Sequence, residues 1–558
     1  MFVRCKRSGR NEYLQLVENQ RIDGRVRQRV LVTLGRRDVL EESGQLDALI
    51  ASCARFARHT AVLDAHRKGP TPGARAVRIG PGLVFERLWR ELGLPEILAE
   101  LLGRRKFEFS VERAVFLTVL HRLFDAGSDR AAEVWRRDYA IRGVEDLELQ
   151  HLYRAMAWLG EELPETEQAD ATPFAPRCTK DLIEERLFAR RRDLFSSLQL
   201  VFFDTTSIYF EGQGGQTLGE YGHSKDHRRD RRQMIVGAVL DAEGRPVCSE
   251  LWPGNVSDAR TLIPIVDRLK RRFAIGELCI VADRGMISAE TIAALQAVHR
   301  DTSFILGCRM RSVKEVSQVV LSQPGRYQTV YGPRQKSTDP SPLKVRQVWV
   351  DDRRYIVCRN EEQVRKDQAD REAIVASLRE QLQRGPQSLV GNKGYRKYLG
   401  VSGAAFAIDE QKLRDEARYD GLWVLRTDLE HWPAEAVALT YKELWTVESL
   451  FRRVKSVLQT RPIYHKRDET IRGHVFCSFL ALVLVKELYD RMEPRGWRPE
   501  WERLKQDLDA LQEVTVPNAG QTFVIRTETR GEAGKALQAA RIALGPTIRL
   551  LKEPHPAD

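Results

Sequence analysis

Three carboxylates in this 558-residue chain stand where a carboxylate is costly. Asp204 follows the apolar run "LVFF" in "LQLVFFDTTSIYFEG", Asp283 closes "CIVAD", and Glu448 lies inside the helical pattern "YKELWTVESLFRRVKSV". A charge beside buried strands costs several kcal/mol unless it is paired or bound to metal. Three hard oxygen donors with no histidine and no thiolate suit Mg2+ or Mn2+ and exclude zinc on ligand type. Two such ions about 3.5–4 Å apart can activate a water or a 3′-hydroxyl and stabilise the leaving oxygen in an in-line phosphodiester displacement. Taken singly, each aspartate reads more simply as a turn or cap residue. Only the joint occurrence with Glu448 points to a metal site.

Spacing around the glutamate adds to this. Tyr441 and Lys455 each lie seven residues from Glu448, nearly two turns, so one unbroken helix would carry all three on a single stripe, with Arg452 beside them. The acid would hold metal while the phenol and the cations hold phosphates of the strand being cut. The basic run "GHSKDHRRDRRQ" brings Lys225, Arg228 and Arg229 near Asp204, "DRGM" places Arg284 directly after Asp283, and "TRPIYHKRDETIRGH" supplies His465 and Arg472. Each is an expected DNA contact, to be weighed against a solvated loop or an ordinary surface histidine. Thr205, Thr206 and Ser207 are placed to satisfy neighbouring polar groups or phosphates.

The elements that must position these residues follow from the hydrophobic pattern. "LQLVFFDTTSIYF" is a strand, "QMIVGAVLDAEGRPVCSELWPGN" a hairpin turning at "DAEG", "DARTLIPIVDRLKRRF" an amphipathic helix, "LCIVADRGM" a buried strand, "SAETIAALQAV" a helix opened by Ser288, and "SFILGCRM" a further strand. Three strands in meander, then helix, strand, helix, strand, predict an α/β unit with a mixed sheet, in the order of a ribonuclease-H-like fold. If the first and fourth strands are neighbours, Asp204 and Asp283 present oxygens side by side. The rhythm stops from Arg311 to about Tyr419, in short β-like runs and a charged helix from about Glu361 to Arg384. It resumes at "YDGLWVLRTD" and one long helix with Pro433 in its first turn, so the middle reads as an insertion.

Ahead of the α/β unit, two alternating runs flank "IDGR", whose Asp-Gly suits a hairpin turn, and "HRKGPTPGAR" reads as a linker. From Pro81 to about Arg192 the pattern is helical, with four to six helices. The expected plan is a hairpin plus helix (1–70), a helical DNA-binding and assembly region (76–195), the two parts of the core (196–310 and 420–493) around a β-rich insertion with a helix (311–419), and a tail (494–558).

Composition agrees with a nucleic-acid partner. Lys and Arg number 90 against 78 Asp and Glu, a net charge of +12 that favours a polyanion. The eight cysteines are scattered, without a C-x-x-C pair or zinc-ligand grouping. No stretch approaches the ~18 apolar residues of a membrane span, and "VFCSFLALVLV" reads as a buried helix; a cytoplasmic, nucleoid-associated protein is expected.

"FFDTTSIYFEG", "VADRGMIS" and "YKELWTVESLFRRVKSVLQTRPIYHKRDETIRGHVFCSFLALVL" together resemble the DDE transposases of bacterial insertion sequences. The branch is the IS-four-like superfamily with a tyrosine–arginine–glutamate–lysine signature. The resemblance runs from about Leu198 to Leu488, and its signature positions read Tyr441, Leu444, Glu448 and Lys455, with leucine in place of the arginine. It implies a ribonuclease-H-like core and Asp204, Asp283 and Glu448 as the catalytic, metal-binding triad for two Mg2+ ions, with Mn2+ as substitute. It also implies binding and cleavage of double-stranded DNA at terminal inverted repeats, joining of the 3′-hydroxyl ends to target DNA, and a homodimer on paired ends. The competing readings are a catalytically silent, transposase-derived DNA-binding protein and a nuclease of the same fold that cuts without joining.

Overall fold

The computed structural model describes residues 1–22, 25–54, 74–169, 171, 175–191, 200–225, 228–275, 277–286, 288–298, 301–337, 339–384, 398–402, 405–456, 460–518 and 521–551. They fall into two compact units: Met1–Val84 with Arg137–Ala140 and Trp497–Asp558, and Phe85–Arg136 with Ile141–Gly496.

The first unit opens with an antiparallel meander of β1 (Phe2–Ser8), β2 (Asn11–Ile22) and β3 (Arg25–Arg36). The Asp23–Gly24 turn, and the expected linker from His66 as far as Gly73, lie outside the described residues. Strand β1 adds to the expected hairpin; "FVRCKRS" carries too many basic residues for its alternation to stand out. In the same unit β4 (Arg75–Arg78) joins strands Gln512–Asn518, Gln521–Arg526 and Ile548–Leu551 in an antiparallel sheet.

The second unit is built on a nine-stranded mixed sheet. Its strands are β5 (Leu200–Tyr209), β6 (Gln233–Leu240), β7 (Pro246–Pro253), β8 (Leu278–Ala282), β9 (Thr302–Gly307), β10 (Gln328–Tyr331), β11 (Leu343–Val350), β12 (Arg353–Arg359) and, after a separate hairpin of β13 (Leu399–Ser402) and β14 (Ala405–Ile408), β15 (Leu422–Thr427). The order is β10-β11-β12-β15-β9-β8-β5-β6-β7, with β5, β8 and β9 parallel and the other neighbours antiparallel. The three strands from the expected insertion thus continue this sheet through β15. Strands β6 and β8 are buried throughout and, after Gln233 at the start of β6, read as apolar runs, as expected of strands covered on both faces.

One face is covered by the Asp258–Phe273 and Ala289–Val298 helices, which pack with Val201 and Phe203 of β5, Leu278, Ile280 and Ala282 of β8, and Phe304 and Leu306 of β9. Alternation along a strand turns Phe202 and Asp204 of β5 the other way. Three helices line the sheet there in turn: Ala434–Lys442 beside β11, β12, β8 and β9, Trp445–Ser456 beside β5 and β6, and Asp468–Met492 beside β7. The expected single long helix is therefore two. It breaks at Glu443–Leu444, where Leu444 N donates to the Tyr441 carbonyl (3.1 Å) and Leu444 turns inward to be buried.

The Asp468–Met492 helix is apolar nearly all round and packs against helices Leu149–Leu159 and Val111–Phe124. Its closest approach is at Gly473, where a Cβ would stand 1.9 Å from the Met156 carbonyl oxygen. Six α-helices are described between Gly80 and Arg191. No helix among the described residues is long and apolar enough to cross a membrane, and all eight cysteines are free thiols.

Candidate active site

Strands β5 and β8 run parallel with Phe203 opposite Ala282, so the next residue on each chain is a carboxylate: Asp204 beside Asp283, both on the sheet face away from the Asp258–Phe273 helix. β5 continues past this point with β6 alone on its side, while β8 ends, which opens the sheet where the two aspartates meet. Asp204 is 15% exposed, and its Oδ1 accepts from the Thr205 amide (2.7 Å). Asp283, half-buried, accepts at Oδ1 from the Tyr441 hydroxyl (2.9 Å). Burial, and then the Asp283 carboxylate, push the Tyr441 phenol well above its ordinary pKa, so it stays protonated and remains a donor.

Tyr441 reaches Asp283 from the last turn of the Ala434–Lys442 helix. Gly307, at the end of β9, makes room: a Cβ there would lie 2.4 Å from the Tyr441 hydroxyl. Sequence reasoning passed over Gly307, although a glycine closing a strand is a recognised mark of close approach. Beyond the break, the Trp445–Ser456 helix buries Val447 and Phe451 and leaves Glu448 exposed at the flank of that buried face. This helix packs on β5 and β6, the strand of Asp204 and its neighbour. The single stripe expected for Tyr441 and Glu448 is corrected accordingly: the two sit on different helices, and each is aimed separately.

The cations divide into three groups. Lys225 is at the site, its Nζ donating to the Thr205 carbonyl (2.6 Å) and Oγ1 (3.0 Å) and standing 3.9 Å from Asp204 Oδ1. Arg228, next along this loop, forms a two-fold pair with Asp230 (both 2.9 Å) and lies over the Tyr209 ring, while Arg229 is exposed. Arg284 and Arg452 are exposed, beside Asp283 and Glu448 in sequence; the Lys455 side chain lies outside the described residues.

His465 and Arg472 are elsewhere, which corrects their reading as surface DNA contacts. Arg472 is 5% exposed and pairs with Glu162 (2.9 Å), because its helix is inside the helical bundle. His465 is turned inward toward Asp129 (3.4 Å) and His474 (3.1 Å). The ligand-type atoms of Asp129, His465 and His474 lie within 4.8 Å of one another. Arg122, however, is 2.9 Å from His474 Nδ1 and 3.9 Å from Asp129, so a guanidinium already fills the place of a dication. Burial alone would raise Asp129, but the hydrogen bond from His465 and the Arg122 charge hold its carboxyl down at about 2. Burial holds His474 well below its usual value; it faces the Thr460 carbonyl through Nε2 (3.2 Å), leaving Nδ1 to accept.

By donor type alone, the three carboxylates Asp204, Asp283 and Glu448 suit a hard divalent cation better than histidines do. Two of the three are pinned by neutral donors, an amide and a phenol, which orient a carboxylate without cancelling its charge.

Residues 196–484, just over half of the chain, match the family model described as transposase DDE domain, and residues 3–63 match one described as IS1634 family transposase, N-terminal domain. A curated protein of Geobacillus stearothermophilus, a probable transposase for insertion sequence element IS5377, is 35% identical over 65 residues. These are 12% of this chain and 17% of that relative, so the chain spans well under two thirds of its length. Among solved structures, a piggyBac transposase in a synaptic complex with hairpin DNA aligns over 77% of this chain and 79% of its own, at 10% identity and a TM-score of 0.38.

Proposed function

The chain belongs to the family of DDE transposases, and on that premise we propose that it moves an insertion sequence, cutting DNA at the terminal inverted repeats and joining the freed 3′-hydroxyl ends to target DNA. The observation that carries the proposal is the β5–β8 register, which sets Asp204 against Asp283 at an opening in the sheet. The order β7-β6-β5-β8-β9, an antiparallel meander followed by two parallel strands, supports a ribonuclease-H-like core.

Asp204, Asp283 and Glu448 would hold the divalent ions, Mg2+ with Mn2+ as substitute and two in number, which when bound supply Lewis acidity at the attacking and leaving oxygens. Tyr441 keeps Asp283 oriented toward the site by donating its proton to one oxygen only. Tyr441, Lys225, Arg228, Arg229, Arg284, Arg452 and Lys455 are the proposed contacts to DNA phosphates, with Arg228 taking part by leaving Asp230 for the stronger polyanion. The helices before the core are proposed to serve DNA binding and assembly, and the working form to be a homodimer on paired ends.

The test uses end-labelled DNA from either side of the coding region with Mg2+. Wild type should nick it and yield joined products, which a nuclease without joining would not. Asp204→Asn, Asp283→Asn and Glu448→Gln should bind the same DNA and leave it intact. Full nicking by all three variants overturns the triad.

A further inference from the structure

Resting on the metal-site reading of Asp204, Asp283 and Glu448, we propose that Arg309, which follows β9, is a further phosphate-binding residue of that site. One edge of its guanidinium fixes the turn after Asp283, and the other takes a phosphate of the DNA strand bound there.

The chain beyond β9 aims this side chain. Cys308 N donates to the Val424 carbonyl (2.8 Å), which keeps the backbone paired past Gly307. Cys308 and Met310 are buried together in the apolar cluster that includes Val348, Val357 and Val424. Alternation then turns Arg309 to the opposite side, that of Gly307, where the Tyr441 hydroxyl reaches Asp283. There Arg309 Nε donates to the Arg284 carbonyl (3.0 Å) and Nη2 to the Gly285 carbonyl (3.2 Å). These are the two residues directly after Asp283, and the Met286 amide closes the same turn on the Asp283 carbonyl (3.0 Å). A phenol thus orients the Asp283 carboxylate while an arginine holds the main chain behind it.

Both acceptors on Arg309 are neutral, so the guanidinium keeps its charge. Its side chain is exposed, and no carboxylate pairs with it among the described residues. Arg311, two residues on, differs: it pairs with Glu416 (3.0 Å). A guanidinium carries five donors in a planar fork. The two carbonyls occupy the Nε–Nη2 edge, which leaves the Nη1–Nη2 end to meet two phosphate oxygens in parallel. An arginine that only tied the turn would act through Asp283 alone, and its loss would not change how DNA binding depends on salt. One that also takes a phosphate displaces a counterion, and salt reads it directly.

The test is the affinity of the full chain for duplex DNA from either side of the coding region, followed by fluorescence anisotropy as salt is raised, with Ca2+ in place of Mg2+. Arg309→Met should flatten the slope of log affinity against log salt by about 0.9, the share of one phosphate. Arg309→Lys should keep the wild-type slope, because the charge remains. The same duplex with one neutral methylphosphonate, moved along the strand, locates the contact. At one position the wild type should lose about ten-fold in affinity and Arg309→Met less than about two-fold. Arg309→Gln carries the same expectations as Arg309→Met and replaces it if that variant does not fold. An unchanged salt slope in a folded Arg309→Met or Arg309→Gln protein overturns the proposal, as does a methylphosphonate profile identical to that of the wild type. Calorimetric titration with Mn2+ and no DNA is the control: if Asp283→Asn binds Mn2+ as wild type does, the metal-site reading itself has failed, while the salt slope still reports on Arg309.

Discussion

Two groups of carboxylates occupy opposite faces of the same sheet, and they are treated in opposite ways. On the face of the Asp258–Phe273 helix, Asp181, Glu184 and Glu250 are essentially inaccessible and are met by Lys180, Arg268 and Arg272 at 2.7–3.1 Å. Glu184 also accepts from Ser249 N and Oγ, and Lys180 donates to the Ser249 carbonyl, so side chains of the Thr179–Arg191 helix cover the backbone of the edge strand β7. On the other face Asp204 accepts from the Thr205 amide and stands 3.9 Å from the Lys225 ammonium, and Asp283 accepts from the Tyr441 hydroxyl. A carboxylate that only joins elements together arrives with its cations. Asp204 and Asp283, proposed to bind metal, each accept from a neutral donor, which fixes direction without adding charge.

The sharpest break of that comparison is a single charged side chain exchanged on each face. Asp204→Asn should lower strand cleavage by about 10³-fold or more while the melting temperature holds or rises, since repulsion at the site is relieved. Arg272→Met should do the reverse. It strands Asp181, Glu184 and Glu250, and breaking a buried ion pair costs about 3–5 kcal/mol, read by chemical denaturation, with cleavage per folded molecule unchanged. Equal effects of both exchanges on both readouts would erase the distinction.

One step smaller, Tyr441→Phe deletes the neutral donor to Asp283. A hydrogen bond to a charged group contributes about 1.5–3 kcal/mol, so cleavage should fall about 10- to 100-fold at constant DNA affinity. Gly307→Ala should imitate it by pushing the phenol away from inside β9. If Gly307→Ala slows cleavage and Tyr441→Phe does not, the glycine matters for the strand and not for the phenol.

These residues were unequally legible. Asp204, Asp283 and the strand order could be read because an acid closing an apolar run breaks a local rule, and local rules are what a sequence displays. The meander, the parallel crossings and the Glu361–Arg384 helix follow from periodicity alone. The break at Leu444 escaped notice because "YKELWTVES" keeps helical composition through it, and only the pull of buried Leu444 and Val447 shows the bend. The buried network escaped for a related reason. "TKDLIEERLFARR" and "DRLKRRF" each look like a solvated charged face, and their partners lie 87 to 91 residues apart. His465 and Arg472 were misplaced similarly, since a basic run after a candidate site does not reveal that its helix enters a bundle.

Acid provides the smallest test, and it separates the two faces by sign. In the network, burial raises Glu250 above its ordinary value against the pull of Arg268 and Lys180. A carboxyl that binds its proton more readily when folded gains stability as pH falls, and Asp181, which despite its burial Lys180, Arg272 and Arg268 hold well below its ordinary value, loses stability only below about pH 4, so this network produces no loss between pH 7 and 5. The histidines of the helical bundle can. Burial lowers His121 to about 4, against an unfolded value near 6.5, so below pH 6.5 the unfolded chain takes up a proton that the folded one refuses. Stability from this group is whole above pH 6.5 and declines toward pH 4, by about 2 kcal/mol at pH 5, and His474 shifts in the same direction. Because His121 Nε2 is buried without a hydrogen-bond partner, His121→Leu should fold at least as well at pH 7 and remove its share of the acid loss. Denaturant midpoints at pH 7 and 5 would show this, and an acid loss that survives in His121→Leu but disappears in Arg272→Met would place the sensitivity on the wrong face of the sheet.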